Sequence, residues 1–134
     1  MNRKLSSMDF SYFISQTVKE IVMDKNLPIK IVFESAVLTI ECPWRLQVAN
    51  QIAIGHSDFL YAPEKYSYLN LEKILLGKKI QSIVHFEGIS DLILEFEDQT
   101  YLELFHDSNY FEGWQLQGDS GFYLFTLPGG SYSS

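Results

Sequence analysis

The sequence predicts a single α+β domain over residues 1–134, with an N-terminal amphipathic helix packed on a twisted, mostly antiparallel sheet of about eight strands. We expect this sheet to curl into a roll or half-barrel. A chain of 134 residues has the size of one ordinary domain. Aromatic residues make up 15% of it, which is typical of twisted sheets. Apolar residues recur at helical spacing near the N-terminus and at every second position from Ile29 onward.

The helix is predicted over residues 8–25. The segment Ser6-Ser7-Met8-Asp9 resembles a capping box, in which a hydroxyl and an acid satisfy the first N–H groups of a helix. The apolar stripe that follows at helical spacing consists of Phe10, Phe13, Ile14, Val18, Ile21 and Val22. The helix should end at Asn26-Leu27-Pro28, because the residue before a proline avoids the α region.

The middle of the chain predicts short antiparallel strands and one long connection. Alternating apolar residues mark strands over 29–34, 37–42, 44–48 and 52–54, and Pro43 marks an edge or a bend. Residues 56–70 lack periodicity, so we read them as a long connection with room for a turn of helix, and as the loop that is best placed to carry function. A short helix over 71–76 follows, with Gly77 after its last turn.

The clearest element is an acidic β-hairpin over residues 91–105, which follows a strand over 80–86. Leu92, Leu94 and Phe96 share one face of its first arm, while acidic side chains occupy the other face. Asp98-Gln99 makes the turn. Two further strands are predicted over 114–117 and 122–126, and residues 131–134 are expected to form a disordered tail.

Composition excludes several functional classes. The net charge of −7 repels phosphate backbones and anionic headgroups, so neither nucleic acid nor a membrane is an expected partner. No apolar run approaches the roughly 20 residues that span a bilayer. Cys42 is the only cysteine, which excludes an intrachain disulfide and fits a cytoplasmic protein. Its position on the apolar face of a strand predicts an inert, buried thiol.

The sequence offers no recognisable catalytic motif. It contains no Gly-x-Ser-x-Gly segment, and the three histidines His56, His85 and His106 are isolated from one another. We therefore predict no cofactor and no metal site. A hydrolase remains the least favoured alternative, because it would require titratable groups from distant parts of the chain to converge in one cleft.

The acidic hairpin is the first candidate for a binding surface. Its carboxylates lie in a stretch without Lys or Arg, so we expect it to meet a basic protein partner, with rings as buried anchors. The predicted partner-binding residues are Glu95, Glu97, Asp98, Glu103, Asp107, Glu112, Tyr101 and Trp114. A merely solvated acidic face is the alternative explanation.

Two other kinds of contact are also predicted. A small-ligand pocket would be lined by Trp44, Tyr66, Tyr68 and Trp114, between the sheet and the long connection. The strand over 122–126 is expected at a sheet edge, where it can pair with a second copy to form a homodimer.

A short internal repeat suggests a duplicated β unit. Trp44-Arg45-Leu46-Gln47 recurs as Trp114-Gln115-Leu116-Gln117, and the segment 31–34 loosely matches 83–87. Coincidence among similar strands explains the same matches.

The second half resembles a family of small uncharacterised bacterial proteins, some of which are similar to immunity proteins encoded beside secreted toxins. The segments that carry the resemblance are 76–80, 91–96, 112–116 and 128–130, and residues 40–46 and 55–58 add to it. These motifs are structural, so the resemblance implies a fold without obvious chemistry. It also implies a non-enzymatic, immunity-type protein that covers a basic active site with its acidic β face.

Overall fold

The computed structural model describes residues 3–23, 27–65 and 68–134. In these ranges twelve strands form two six-stranded antiparallel sheets, and one hydrophobic core draws on residues from both sheets. The fold is therefore mainly a β-sandwich. The predicted α+β class, the N-terminal helix and the single rolled sheet of about eight strands are wrong.

The described elements have the following bounds. In chain order the strands are β1 Lys4–Leu5, β2 Val18–Val22, β3 Ile29–Phe33, β4 Ala36–Ile40, β5 Trp44–Val48, β6 Gln51–Gly55, β7 Ile80–Glu87, β8 Asp91–Phe96, β9 Thr100–Leu104, β10 Trp114–Gly118, β11 Tyr123–Thr126 and β12 Tyr132–Ser133. Helices α1 His56–Tyr61 and α2 Tyr68–Leu75 lie between β6 and β7, and 3₁₀ turns span Ser11–Phe13 and Pro128–Gly130. The first sheet has the order β1-β7-β8-β9-β5-β6 and the second the order β12-β11-β10-β4-β3-β2.

A β-bulge explains why the N-terminal segment looks helical in the sequence. Val18 and Ile21 are three residues apart, yet both are buried on strand β2. The pairing of β2 with β3 shifts between Val18 and Glu20, and the extra residue restores both side chains to one face. Upstream, Ser15 has a φ of +72°, which interrupts any continuous helix. The predicted end of the helix at residues 24–26 lies outside the described residues.

The predicted hairpin is confirmed as strands β8 and β9. Leu94 pairs with Leu102 and Leu92 with Leu104, and all four side chains are completely buried. At the turn, Asp98 and Gln99 adopt φ values of +61° and +55°, as the tight hairpin turns that suit twisted strands require.

Each half of the chain contributes strands to both sheets. Strands β2-β3-β4 form a meander in the second sheet, and β7-β8-β9 form one in the first. After β4 the chain crosses to the first sheet, where β5 pairs with β9 and β6 lies outside β5. After β9 it crosses to the second sheet, where β10 pairs with β4 and β11 lies next to β10. Trp44 and Trp114 each begin the first strand after a crossover. The repeated Trp motif thus occupies equivalent positions, but segments 31–34 and 83–87 belong to the non-equivalent strands β3 and β7.

The C-terminal residues differ from the prediction. Tyr132 pairs with Thr126 and Ser133 with Phe125, so the segment expected to be disordered carries strand β12. Strand β11 consequently has neighbours on both sides and is not an edge. In the described ranges, the outer strands are β1 and β6 in one sheet and β2 and β12 in the other.

Candidate functional site

Three connecting segments meet at one end of the sandwich. The two crossovers, residues 41–43 and 105–113, lie side by side, since the Glu41 N–H donates to the Gly113 carbonyl at 2.8 Å and the Phe105 N–H to the Pro43 carbonyl at 2.9 Å. Helix α1 starts directly after Gly55, which pairs with Arg45 near the start of β5. We call these segments together the crossover end.

An apolar groove of about 680 Å³ opens beside α1. Its wall includes Leu27, Ile29, Cys42, Trp44, Phe59 and Leu60. The Trp44 indole stacks on the His56 ring with centroids 6.2 Å apart and an interplanar angle of 28°. Trp44 is only 3% exposed, and its Nε1 has no hydrogen-bond partner among the described residues. We call this cavity the α1 groove.

The titratable groups of the α1 groove are largely uncharged. Cys42 is buried, as expected from the sequence, and burial raises the pKa of its thiol to about 12. Burial lowers the pKa of His56, and the negative charge of Asp107 opposes this effect. Among the described lining residues, Glu41 is the acidic one.

On the second crossover, two aromatic side chains project into solvent. Tyr110 is 78% exposed and Phe111 is 67% exposed, and their rings meet edge to face with centroids 4.8 Å apart. The Ser108 Oγ accepts the backbone N–H groups of both residues, at 2.9 and 2.7 Å. Asp107 and Glu112 flank the pair and are exposed. We call residues 107–112 the aromatic tip.

The acidic hairpin face is bonded within the protein. Glu103 is buried, and both its oxygens accept from Arg45, at 2.9 and 3.0 Å, while Gln47 donates at 2.8 Å. Burial raises the pKa of Glu103, but the hydrogen bonds and charge of Arg45, with Gln47, outweigh burial and hold that pKa below its usual value. Glu103 is thus committed to a structural ion pair.

The remaining hairpin residues also have internal partners. Glu95 accepts from the hydroxyls of Ser82, at 2.9 Å, and Tyr101, at 3.1 Å. Glu97 accepts the Lys79 backbone N–H at 2.8 Å, and Asp98 pairs with the Lys78 ammonium at 2.9 Å. Trp114 is completely buried, and its Nε1 donates to the Ser90 carbonyl at 2.8 Å. Of the residues predicted to bind a partner, Asp107 and Glu112 lie at the crossover end.

Replacing Arg45 with glutamine should lower the free energy of unfolding by about 2 kcal/mol at pH 7, because Glu103 would remain as a buried carboxylate without its cation. The folded pKa of Glu103 is depressed, so this stabilisation is present above the ordinary carboxyl pKa, roughly pH 4–5, and disappears as pH falls through the folded value. Urea unfolding of both proteins at pH 7 and pH 3 tests this. The same loss at both pH values would contradict the assignment.

The two tryptophans of the predicted aromatic pocket lie in different places. Trp44 lines the α1 groove, whereas Trp114 packs against His85 in the core. Tyr66 and the side chain of Tyr68 lie outside the described part of the chain. Sequence reasoning did not assign His56, Phe59 and Leu60 to a site, because residues 56–61 were read as part of a long connection in which a turn of helix had no fixed position. The available signal of a short helix was the acid Asp58 three residues after Gly55, and in the fold its carboxylate accepts the Gly55 N–H at 2.9 Å.

A serine and a histidine do meet, but in a structural arrangement. His85 Nε2 lies 3.2 Å from Ser90 Oγ, and the Ser90 hydroxyl donates to the Gly130 carbonyl at 2.6 Å. Ser90 is completely buried, and Ser6 Oγ lies 2.9 Å from His85 Nδ1. Burial lowers the pKa of His85, so the ring is neutral at pH 7. The network anchors the turn at residues 128–130 to the β7–β8 connection.

The described residues contain no group of three or more His, Cys, Asp and Glu side chains that could hold a metal ion. Nor does the described part of the chain include a helix with the length and apolar character needed to cross a membrane.

Comparison with known proteins places the chain in one family. A search of curated proteins found no match, and a search of solved structures found none either. The sequence model of DUF6188, a family of unknown function, matches residues 11–133. This match covers all the described strands except β1, both crossovers and the α1 groove. The chain therefore belongs to the family of unknown function DUF6188.

Proposed function

We propose that this protein is a non-enzymatic binding protein that docks on a basic partner protein through the aromatic tip. The observation that carries the proposal is the exposed pair Tyr110 and Phe111, at 78% and 67% exposure. Aromatic residues are enriched at the buried centre of protein interfaces, so two adjacent exposed rings are typical of a surface that binds a partner. A partner with an apolar cleft would remove both rings from water in one contact.

Charge around the aromatic tip supports a basic partner. Asp107 and Glu112 flank the rings, and both are exposed. The net charge of −7 adds a long-range attraction for a positive surface. The hairpin face is less suitable than the sequence alone suggests, because Glu95, Glu97 and Glu103 already accept hydrogen bonds from neighbouring residues.

The aromatic tip is held in place before any partner arrives. Ser108 Oγ accepts two N–H groups from inside the tip, and the Ser108 carbonyl accepts the Gly129 N–H at 2.8 Å. These bonds tie the crossover to the C-terminal turn. A loop fixed in this way loses less conformational entropy on binding, which favours high affinity. An immunity-type inhibitor that inserts the tip into a basic active-site cleft would use this arrangement.

A photo-crosslinking experiment can find the partner. A benzoyl-phenylalanine introduced at Phe111 should capture a basic protein from lysate of the source cell, and capture should decline as salt rises. The same probe at Ile52, which is exposed on β6 in the other half, is the matched control and should not capture that protein.

Affinity measurements with the captured protein then test the aromatic tip itself. Tyr110→Ala and Phe111→Ala should each weaken binding by about 30-fold or more, as truncated hot-spot residues do. Asp107→Asn with Glu112→Gln should slow association and flatten its salt dependence. Ile52→Ala should leave the affinity unchanged. Unchanged affinity in both aromatic variants would overturn the proposal, and so would equal capture from position 52.

A further inference from the structure

We infer that the α1 groove binds an uncharged, apolar small molecule that carries a hydrogen-bond acceptor. Its volume of about 680 Å³ lies within the range of roughly 300–1,000 Å³ that is usual for small-molecule sites. Residues from β3, β4, β5 and α1 form its walls, so elements of both sheets fix its shape. This site is separate in residues and in ligand chemistry from the aromatic tip.

The indole of Trp44 supplies the argument for an acceptor. Only 3% of Trp44 is exposed to solvent, and its Nε1–H has no hydrogen-bond partner among the described residues. A buried donor without an acceptor is unfavourable, so such groups in folded proteins are normally paired. The equivalent residue Trp114 follows this rule, since its Nε1 donates to the Ser90 carbonyl at 2.8 Å. In the free protein Nε1 is itself buried, so a small rotation of the indole toward the groove must accompany binding. A carbonyl or ether oxygen of a ligand would then give Trp44 the partner that Trp114 already has.

The rest of the lining explains why the ligand should be uncharged. Leu27, Ile29 and Phe59 offer no polar side-chain atoms, and the Cys42 thiol stays protonated. The Glu41 carboxylate lines the groove and would repel an anionic ligand. A cation has no lone pair with which to accept the Trp44 N–H. A neutral molecule with an acceptor oxygen avoids repulsion by Glu41 and can still accept the Trp44 N–H.

The groove also has an open side through which a ligand can enter. Leu27 is 62% exposed and Leu60 is 51% exposed, and both belong to the lining. Exposed leucines at the mouth of an apolar cavity give a ligand further contact area once it is bound. They also provide positions for mutation outside the core, because about half of each side chain is exposed to water.

Fluorescence titration of the 134-residue protein with Nile red, an uncharged apolar dye with a carbonyl oxygen, tests the inference. We expect saturable binding with increased emission. Leu60→Asp should weaken it by about tenfold or more, because it places a charge at the mouth of the groove. Ile52→Asp is the matched control, since Ile52 is 62% exposed and does not line the groove. Nile red binding that is insensitive to Leu60→Asp would overturn the assignment of the site.

Two further arms test the ligand chemistry. Trp44→Phe keeps an aromatic wall but removes the N–H, and should weaken Nile red binding by about fivefold, the usual effect of one hydrogen bond. The anionic dye anilinonaphthalene sulfonate and the dodecyltrimethylammonium cation should bind this site more weakly than Nile red does. Tighter binding of either charged probe at a site sensitive to Leu60→Asp would overturn the uncharged class. Unchanged Nile red affinity in Trp44→Phe would overturn the role of the indole.

Discussion

Replacing Phe13 with alanine is expected to lower the free energy of unfolding by about 3–5 kcal/mol. Phe13 is completely buried and lies between the ring of Phe122, with centroids 4.8 Å apart, and that of Phe10, at 6.5 Å. Truncation removes a large apolar side chain and leaves a cavity between the N-terminal 3₁₀ turn and the β10–β11 region. Urea unfolding followed by tryptophan fluorescence measures the loss.

Ile14→Ala is the matched control for Phe13→Ala. Ile14 is 37% exposed, so its truncation should cost less than about 1 kcal/mol. If this segment were the helix predicted from the sequence, Phe13 and Ile14 would both lie on its apolar stripe and both would contribute to the core. Equal losses at the two positions would therefore contradict the strand and turn that the structure assigns to this segment.

Trp114→Phe should lower the free energy of unfolding by about 3 kcal/mol. The change removes part of a completely buried side chain and also leaves the Ser90 carbonyl without its donor, and each effect costs about 1–3 kcal/mol. Far-UV circular dichroism in urea should be used, because the substitution removes a fluorophore.

Trp44→Phe is the natural comparison for Trp114→Phe, since both residues begin equivalent strands. Trp44 has no acceptor among the described residues, so its substitution removes ring volume alone and should cost about 1 kcal/mol. Equal destabilisation by the two substitutions would show that the Ser90 hydrogen bond contributes little to stability.

Local pattern was sufficient to predict some elements and insufficient for others. Alternation over residues 91–105 predicted the β8–β9 hairpin correctly, because adjacent strands with a short turn need no distant information. The N-terminal segment was misread, because a bulge between Val18 and Glu20 gives a strand the spacing of a helix. A bulge depends on the partner strand, and no local period reveals it.

The binding surfaces were harder to predict because their character depends on contacts across the chain. The sequence shows no Lys or Arg between Asp91 and Glu112, which suggested a bare acidic face. In the fold, Arg45 reaches Glu103 from a strand 58 residues away in sequence, and Lys78 reaches Asp98. The α1 groove combines residues from 23 to 63, most of which were read as parts of separate elements.

The exchange of strands between the two halves has a consequence for how the protein assembles. One edge of strand β4 stays unpaired until residues 114–118 have been synthesised. One edge of β5 likewise stays unpaired until residues 100–104 have been synthesised. During synthesis on the ribosome, the first sheet cannot be completed before residue 104 has emerged, and the second cannot be completed before residue 133 has emerged. Such distant pairings make folding slow relative to local meanders. We therefore expect the interlocked halves to become stable together, and a nascent chain that ends before β10 to expose an unpaired strand.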